Sequence, residues 1–512
     1  MIVFKIGRYI FKFGGVIIKT YGRTTILANF IEDDLINNSQ DIINSNIINI
    51  IETYKPIHQK NKTETNYLAD YYKGKQDVLN KKKETRPEIN NKIIENWCYA
   101  TVEFKMAFLL MNAIKYVKSN DKTNQEVSIL NNYCKYEHKN TKDMTIYKNC
   151  LVSGRGYRYV QGDLINEEDE APFSIINCDT DKTEVIYSSR MGHEQLCEII
   201  EVSMQETVDD KQEEYTQYEI YTRKQKITIN NKEDNYEVIS VVPIVINEHL
   251  ITEYYLNDER ISLIEIGKDL FDAINLTESL DADDIEQFVN AIMVFTNAKV
   301  DEDDISLIRT LGAVSISSTE QKKASVELLQ SRLNSQQTQE YYNRLLNSLL
   351  QILGIPVASS SGGQESGDTG KAKLTGQGFT SANIRIGNDK TMFEMCDMKS
   401  LKTIIKICRK IGNSQILKLK ISDLDAKFQR DNEENMLVKT QALLNLYSCR
   451  IPKEFANAVI NLFADPNAVT ELQKEEIEKE EKELNVNKNM NDDINKQNND
   501  IQDTLENDLQ GN

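Results

Sequence analysis

The chain has 512 residues, 40% hydrophobic and 28% charged, enough apolar material for about three domains with buried cores. A formal net charge of −19 excludes a protein that coats nucleic acid by neutralising phosphates. Eight cysteines without a C-x-x-C pair and four widely separated histidines predict reduced, mostly buried thiols and no zinc site.

The first thirty residues are basic, with no acid before Glu32. Lys5, Arg8 and Lys12 interrupt every apolar run, so neither a signal segment nor a membrane span is expected there. Ile and Leu at helical spacing predict a helix over about 33–60, ending near Pro56. A second helix is expected around Asn66–Asn80, then a polar loop containing Pro87, and a long helix from about Ile93 to Tyr116. From Leu151 to Val245 the texture changes to short, β-branched, Tyr-rich segments separated by turn clusters such as RMGHE and NNKED. These predict a mixed or antiparallel sheet.

Between Val241 and Ile411 a strand (VVPIVINE) leads into a long helix. Its apolar positions are Leu263, Ile266, Leu270, Phe271, Ile274, Ile285, Phe288 and Ile292. A small acidic insert, expected as strand, short helix, strand, separates it from a second helix. That one carries Val326, Leu329, Leu333, Tyr341, Leu345, Leu349 and Ile352 on one face. Each helix is expected to span roughly 40 Å. Gly354 and Pro356 stop the second, and SSSGGQESGDTGK follows. A helical region over 380–411, a strand pair in ILKLKISDLDAKFQR and two helices within 432–464 complete the ordered part. From Glu471 onward thirteen acids face five bases, a composition that cannot bury enough apolar area to order itself.

No stretch carries the marks of catalysis. GGQESGDTGKAK fails as a phosphate-binding loop: position 365 is Glu, Ala372 follows Lys371, and the preceding element is a helix. Asp281, Asp283, Asp284 and Glu286, and again Asp301, Glu302, Asp303 and Asp304, pack carboxylates closely enough to hold Mg²⁺. With no basic or nucleophilic partner nearby they read as solvated acidic faces. They carry the alternative function, a Mg-dependent nucleic-acid-processing enzyme. GRGYRY lacks the third glycine of a dinucleotide fingerprint. No nucleophile elbow or H-E-x-x-H occurs, so no catalytic, cofactor-binding or metal residue is assigned.

Several segments then resemble one family in order and spacing. They are YYKGKQ at Tyr71–Gln76, INNKIIENW after Pro87, LVSGRGYRYV, TEVIYSS, VVPIVINEHL and, most specifically, DLFDAINLTESLDADDIEQFVNAIMVF. Together they cover about 65–465 and are similar to portal proteins of tailed bacteriophages, in the subfamily of long-tailed phages. The basic N-terminus and the length of the Gly/Ser loop depart from that pattern.

The resemblance implies an α+β portal fold. After an N-terminal basic and helical segment (1–64) come a mixed α/β wing (65–255, with 372–430) and stem helices at 256–291 and 325–353. A small clip (292–324), a tunnel loop (354–371), a helical crown (431–470) and an acidic tail (471–512) follow. It implies a homo-oligomeric ring of about twelve copies at one capsid vertex of the virion, assembled in the host cytoplasm. Double-stranded DNA would pass through without sequence specificity, and no cofactor, membrane or enzymatic activity is implied. The implied partners are the terminase large subunit, the major capsid and scaffolding proteins and a head-completion adaptor. Ser359, Ser360, Ser361, Gly362, Gly363, Ser366, Gly367, Lys371 and Lys373 would face the channel. Asp301, Glu302, Asp303, Asp304 and Arg309 would meet the motor.

Overall fold

The structure is a computed structural model. It describes residues 3–6, 9–12, 22–29, 40–84, 86–118, 125–162, 170–208, 211–232, 234–289, 292–296, 325–329, 335–356, 377–411, 416–428, 436–449, 451–452, 455–457, 474, 477 and 479. The chain divides into two units, Met1–Gly363 with Thr375–Arg430, and Gln364–Leu374 with Asp431–Asn512.

The larger unit opens with strands β1 (Val3–Ile6) and β2 (Tyr9–Lys12), an antiparallel hairpin forming a sheet of its own. Strand β3 (Ile26–Ala28) precedes helix α1 (Gln40–Tyr72), which is 33 residues long. The expected break at Pro56 does not occur. Proline there removes one backbone hydrogen bond, but Pro56 and Glu52, whose carbonyl loses it, are both exposed and hydrated. Meanwhile Ile51, Tyr54 and His58 hold the other face in the interior.

Helix α2 runs from Trp97 to Leu110 rather than from Ile93 to Tyr116. Ile93 and Glu95 spend their backbone N–H groups on side chains of a distant helix, and Asn96 caps α2 by accepting from the Tyr99 N–H at 3.1 Å. Tyr116 instead belongs to strand β4 (Lys115–Lys118). Helices α3 (Gln125–Tyr136) and α4 (Lys139–Ser153) follow, and α4 takes in Leu151–Ser153, which had been expected as strand. It stops at Gly154 (φ 82°), where an added Cβ would meet the Arg260 carbonyl oxygen at 1.9 Å.

Strands β5 (Arg155–Gly162) and β6 (Phe173–Cys178) join β12 (Ile251–Tyr255) in a three-stranded sheet ordered β12-β5-β6. The other sheet strands are β7 (Thr183–Ser188), β8 (Gln195–Val208), β9 (Lys211–Tyr221), β10 (Gln225–Lys232) and β11 (Asn235–Pro243). They form a six-stranded sheet ordered β11-β10-β9-β8-β7-β3, antiparallel except for β3 with β7. Alternation drives its packing: Tyr218 and Ile220, with Ile227 and Ile229, turn inward against Ile47, Ile50, Ile51 and Tyr54 of α1.

Helix α5 (Leu263–Val289) leads into strand β13 (Ile292–Thr296), which pairs antiparallel with β14 (Ser325–Leu329) before helix α6 (Ser335–Leu353). Val326 and Leu329 therefore lie in a strand. Their three-residue spacing fits a helix equally well, and ladder pairing with Phe295 and Ile292 decides. At 19 residues α6 is about 28 Å long, not 40 Å. An added Cβ on Gly267 near the start of α5 would lie 3.2 Å from Leu349 near the end of α6, so the two helices run antiparallel.

Helix α7 (Gln377–Lys410) is 34 residues long. Of the expected strand pair only β15 (Leu424–Lys427) forms, and its partner is the distant β4. One core gathers Leu68 and Tyr71 of α1, Ile146 and Tyr147 of α4, Phe271 and Ile274 of α5, and Leu349, Phe393 and Ile404. Among the described residues, no helix is long and apolar enough to cross a membrane.

The smaller unit contains helix α8 (Met436–Ser448), whose Tyr447 hydroxyl donates to Asn457 Oδ1 at 2.6 Å.

Candidate functional site

The long helices are rooted in the α/β body by four groups of buried charges. The first starts at the N-terminus of α5. Ser262 and Glu265 form a reciprocal cap: the Glu265 N–H donates to Ser262 Oγ at 3.1 Å, and the Ser262 N–H donates to Glu265 Oε2 at 2.7 Å. The other Glu265 oxygen accepts from the Gly22 N–H at 2.9 Å and from the Arg23 guanidinium. Arg23 also pairs with Glu64 of α1 at 3.0 Å. A local helix cap is thereby a long-range tie.

The second group is a polar stripe along α5 at positions 268, 272, 275, 279 and 283, one face of a helix. Lys268 pairs with Asp77 and Asp272, each at 2.6 Å, and the Tyr71 hydroxyl donates to Asp272 at 2.7 Å. Asn275 accepts from the Glu95 N–H at 2.8 Å, and Ser279 from the Ile93 N–H at 2.9 Å. Asp283 pairs with Lys81 at 2.8 Å and Lys83 at 3.3 Å, and accepts from the Asn91 N–H at 2.6 Å. Burial alone would raise the pKa of Asp283, but these donors outweigh it and hold it below the usual carboxylate range.

That geometry answers the Mg²⁺ reading for 281–286. Asp283 is already neutralised, Glu286 accepts from Asn91 at 2.9 Å, and Asp284 is exposed. Among the described residues no group of three or more His, Cys, Asp or Glu is placed to hold a metal ion.

The third group is the most enclosed. Asp397 of α7 accepts from Lys139 of α4 at 2.9 Å, Arg158 of β5 at 3.3 Å, the Tyr254 hydroxyl of β12 at 3.1 Å and the Tyr116 hydroxyl of β4 at 2.6 Å. Asp143 accepts from the same Lys139 at 2.8 Å and from Arg158 at 2.6 Å. Two cations and two anions from α4, β5 and α7, with two tyrosines, thus close on one another away from water. Burial opposes the charge on Asp397 most strongly, yet Lys139, Arg158 and Tyr116 together pull its pKa below the ordinary value.

A fourth cluster ties α1 to the large sheet. His58 lies between Glu184 (3.5 Å) and Glu201 (3.3 Å), at ion-pair rather than tight hydrogen-bond distances, and stacks on Tyr54 at 4.6 Å. Arg155 holds the other Glu184 oxygen at 2.5 Å, and Lys62 pairs with Glu201 at 2.9 Å. Burial alone would lower the His58 pKa, but the two carboxylates outweigh it and raise it.

Burial pushes the Cys396 thiol up to about 11 and those of Cys134 and Cys178 up to about 12, so all three are protonated near neutrality. At the C-terminal end of α6, Gly354 turns the chain and Arg385 of α7 donates to the Ile352 carbonyl. A cavity of about 210 Å³ lies there, lined by Leu353, Cys150, Ile266, Arg385 and the Lys105–Asp389 pair.

Ser359, Ser360, Ser361, Gly362, Gly363, Ser366, Gly367, Lys371 and Lys373 fall outside the described residues, as do Asp301, Glu302, Asp303, Asp304 and Arg309. The sequence reading did not find the buried clusters. The stripe on α5 was visible in principle as polar residues at helical spacing. The Asp397 group joins residues more than 200 positions apart and carries no local signal.

A family model described as phage portal protein, SPP1 Gp6-like, matches residues 51–485. No curated protein matches the chain. The match spans most of the sequence, and the chain belongs to the phage portal family.

Replacing Asp397 by Ala leaves Lys139 and Arg158 short of a buried counter-charge and should cost about 3–5 kcal/mol. Removing the exposed Asp70, paired with Lys75, should cost under about 1 kcal/mol. Denaturant midpoints of the two variants check this, and equal effects would contradict it. For His58 the raised folded pKa means its contribution is complete below about pH 6.5 and is lost as pH rises through the folded value. His58→Gln should therefore flatten the fall in stability above about pH 6.5, measured by denaturation between about pH 6 and 9. An unchanged slope would show that this histidine is not charged in the fold.

Proposed function

We propose that this portal protein closes, copy beside copy, into a ring of about twelve around a channel at one capsid vertex. Double-stranded DNA enters through that channel during packaging and leaves through it later. The observation that carries the reading is the antiparallel pair α5–α6, with α5 tied to the α/β body at its N-terminus by the Glu265 group and along its length by the stripe that ends at Asp283. Held in this way the helices can form the wall of a pore and bear load without a reactive group.

Closure into a ring needs two different complementary faces on each copy. Ile266 and Ile285 of α5, and Tyr341 and Ile352 of α6, are 41–53% exposed although apolar, which suits contact with neighbours. The net charge of −19 repels duplex DNA and keeps it from adhering to the wall. The chain's one glycine-rich G-K segment departs from a phosphate-binding loop at Glu365 and Ala372, so the energy for packaging comes from a partner motor.

On this reading α5 and α6 are the stem, 292–324 the clip, and 354–371 the tunnel loop. Residues 65–255 with 372–430 make the wing, and 431–470 with the acidic tail the crown. The clip, through Asp301–Asp304 and Arg309, docks the terminase large subunit and then the head-completion adaptor. The capsid and scaffolding proteins surround the wing. Assembly takes place in the host cytoplasm, and the finished ring stays in the virion.

Deleting Ser359–Thr369 should leave rings intact under the electron microscope and reduce the nuclease-resistant DNA held per particle. Normal filling in that variant would refute a translocation role for the loop.

A further inference from the structure

The connection from β12 to α5, residues 256–262, is fixed from several sides. Near its end Arg260 has φ 53°, in the left-handed region that a residue with a Cβ enters at a cost. Such a conformation persists only where the surroundings over-determine it. Asn257 donates to the Ile261 carbonyl at 2.8 Å and accepts from the Ile261 N–H at 2.7 Å. The Arg260 guanidinium reaches both oxygens of Glu253 on β12, at 3.4 and 3.0 Å. It lies 4.3 Å from the centre of the Tyr255 ring and 5.8 Å from that of Tyr187, on β7 of the other sheet. The Tyr187 hydroxyl in turn donates to Glu253 at 2.5 Å.

The backbone of the turn is seated as closely as its side chains. The Glu259 carbonyl accepts from the Arg23 N–H at 3.1 Å, and an added Cβ on Gly22 would lie 2.1 Å from that oxygen. The Arg260 carbonyl stands just as close to Gly154. A side chain at either glycine would push the turn outward. Two residues beyond Arg260, Ser262 caps α5. Whatever fixes this turn therefore fixes the direction in which α5 leaves the two sheets. The helix has 27 residues and is about 40 Å long, so a rotation of about 5° at its base carries its far end through about 3.5 Å.

We infer that Arg260 is a positioning residue for ring closure: by locking this elbow it sets how many copies the ring contains. The inference rests on the ring proposed above. In a closed ring the turn from one copy to the next is a full circle divided by the number of copies. Rings of about twelve and about thirteen copies thus turn by about 30° and about 28° at each contact. An elbow free to flex by more than that difference cannot tell them apart, and a clamped one can. The Glu265 group refers the first turn of α5 to Arg23 and, through it, to α1. Arg260 is what refers it to both sheets, through Glu253 and Tyr255 on one and Tyr187 on the other.

Arg260→Gly keeps the turn accessible, because glycine adopts this φ without strain, and removes the grip on Glu253 and both rings. Mass measurement of intact rings should give one copy number for the unsubstituted chain. For this variant it should give several, spaced by single chains of 58.8 kDa. Arg260→Lys, which restores a cation beside Glu253, should narrow the distribution again. Ile220→Val, a buried change in the large sheet that only lowers stability, should leave the copy number as it was. One unchanged copy number for Arg260→Gly would overturn the inference and leave the channel reading standing. Broadening by Ile220→Val as well would also overturn it, since lost stability alone would then suffice. Should Arg260→Gly fail to fold, Glu253→Gln carries the same test, because it weakens the grip and leaves Arg260 in place; one copy number there would be equally fatal. An unsubstituted chain that forms no ring would overturn the channel reading itself.

Discussion

Charges taken out of water must neutralise one another, and this requirement sets the positions of the major elements of the larger unit. Lys139, Arg158, Asp143 and Asp397 come from two helices and a strand, and none has an alternative partner in the aqueous phase. Compared with a well-packed apolar cluster such a group adds little net stability. Its effect is on geometry: a shift of α7 by one turn would strand at least one full charge in a low-dielectric interior. The Glu265 and Asp283 groups act in the same way along α5. The hydrophobic core supplies the driving force, while the ionic groups select one arrangement of the long helices.

That selection matters because the proposed working part is a passage between copies. A ring of identical subunits multiplies any angular error in one subunit by the number of copies, so the stem pair must leave the body at one fixed angle. Loosely packed helices would close into rings of mixed size. The enclosed ion pairs also explain how a chain with 80 acidic residues holds together: the acids at critical junctions are neutralised inside. The family match bears on the portal role itself, and the buried geometry shows how the long helices are held.

The parts of the fold carried by short-range pattern were legible from sequence. Strands β7 to β11 showed β-branched alternation between recognisable turns, and apolar residues at Leu263, Ile266, Leu270 and Ile274 marked a helix. Features decided by distant partners were not. Pro56 looked like a helix end because nothing nearby shows that α1 is clamped on both sides of it. Val326 and Leu329 fit a helical face until β13 pairs with them. Ile93 and Glu95 looked helical, yet their N–H groups donate to Ser279 and Asn275. The same limit hid the Asp397 group, and it made Asp283 look like half of a metal site when its counter-charge, Lys81, lies 202 residues away.

The idea that identical copies enclose a passage is tested most directly by the mass of the particle formed by the purified full-length chain. Native mass spectrometry should give one narrow species at a high integer multiple of the 58.8 kDa chain, near twelve. A population confined to one or two chains, across concentrations and with capsid components present, would contradict the account.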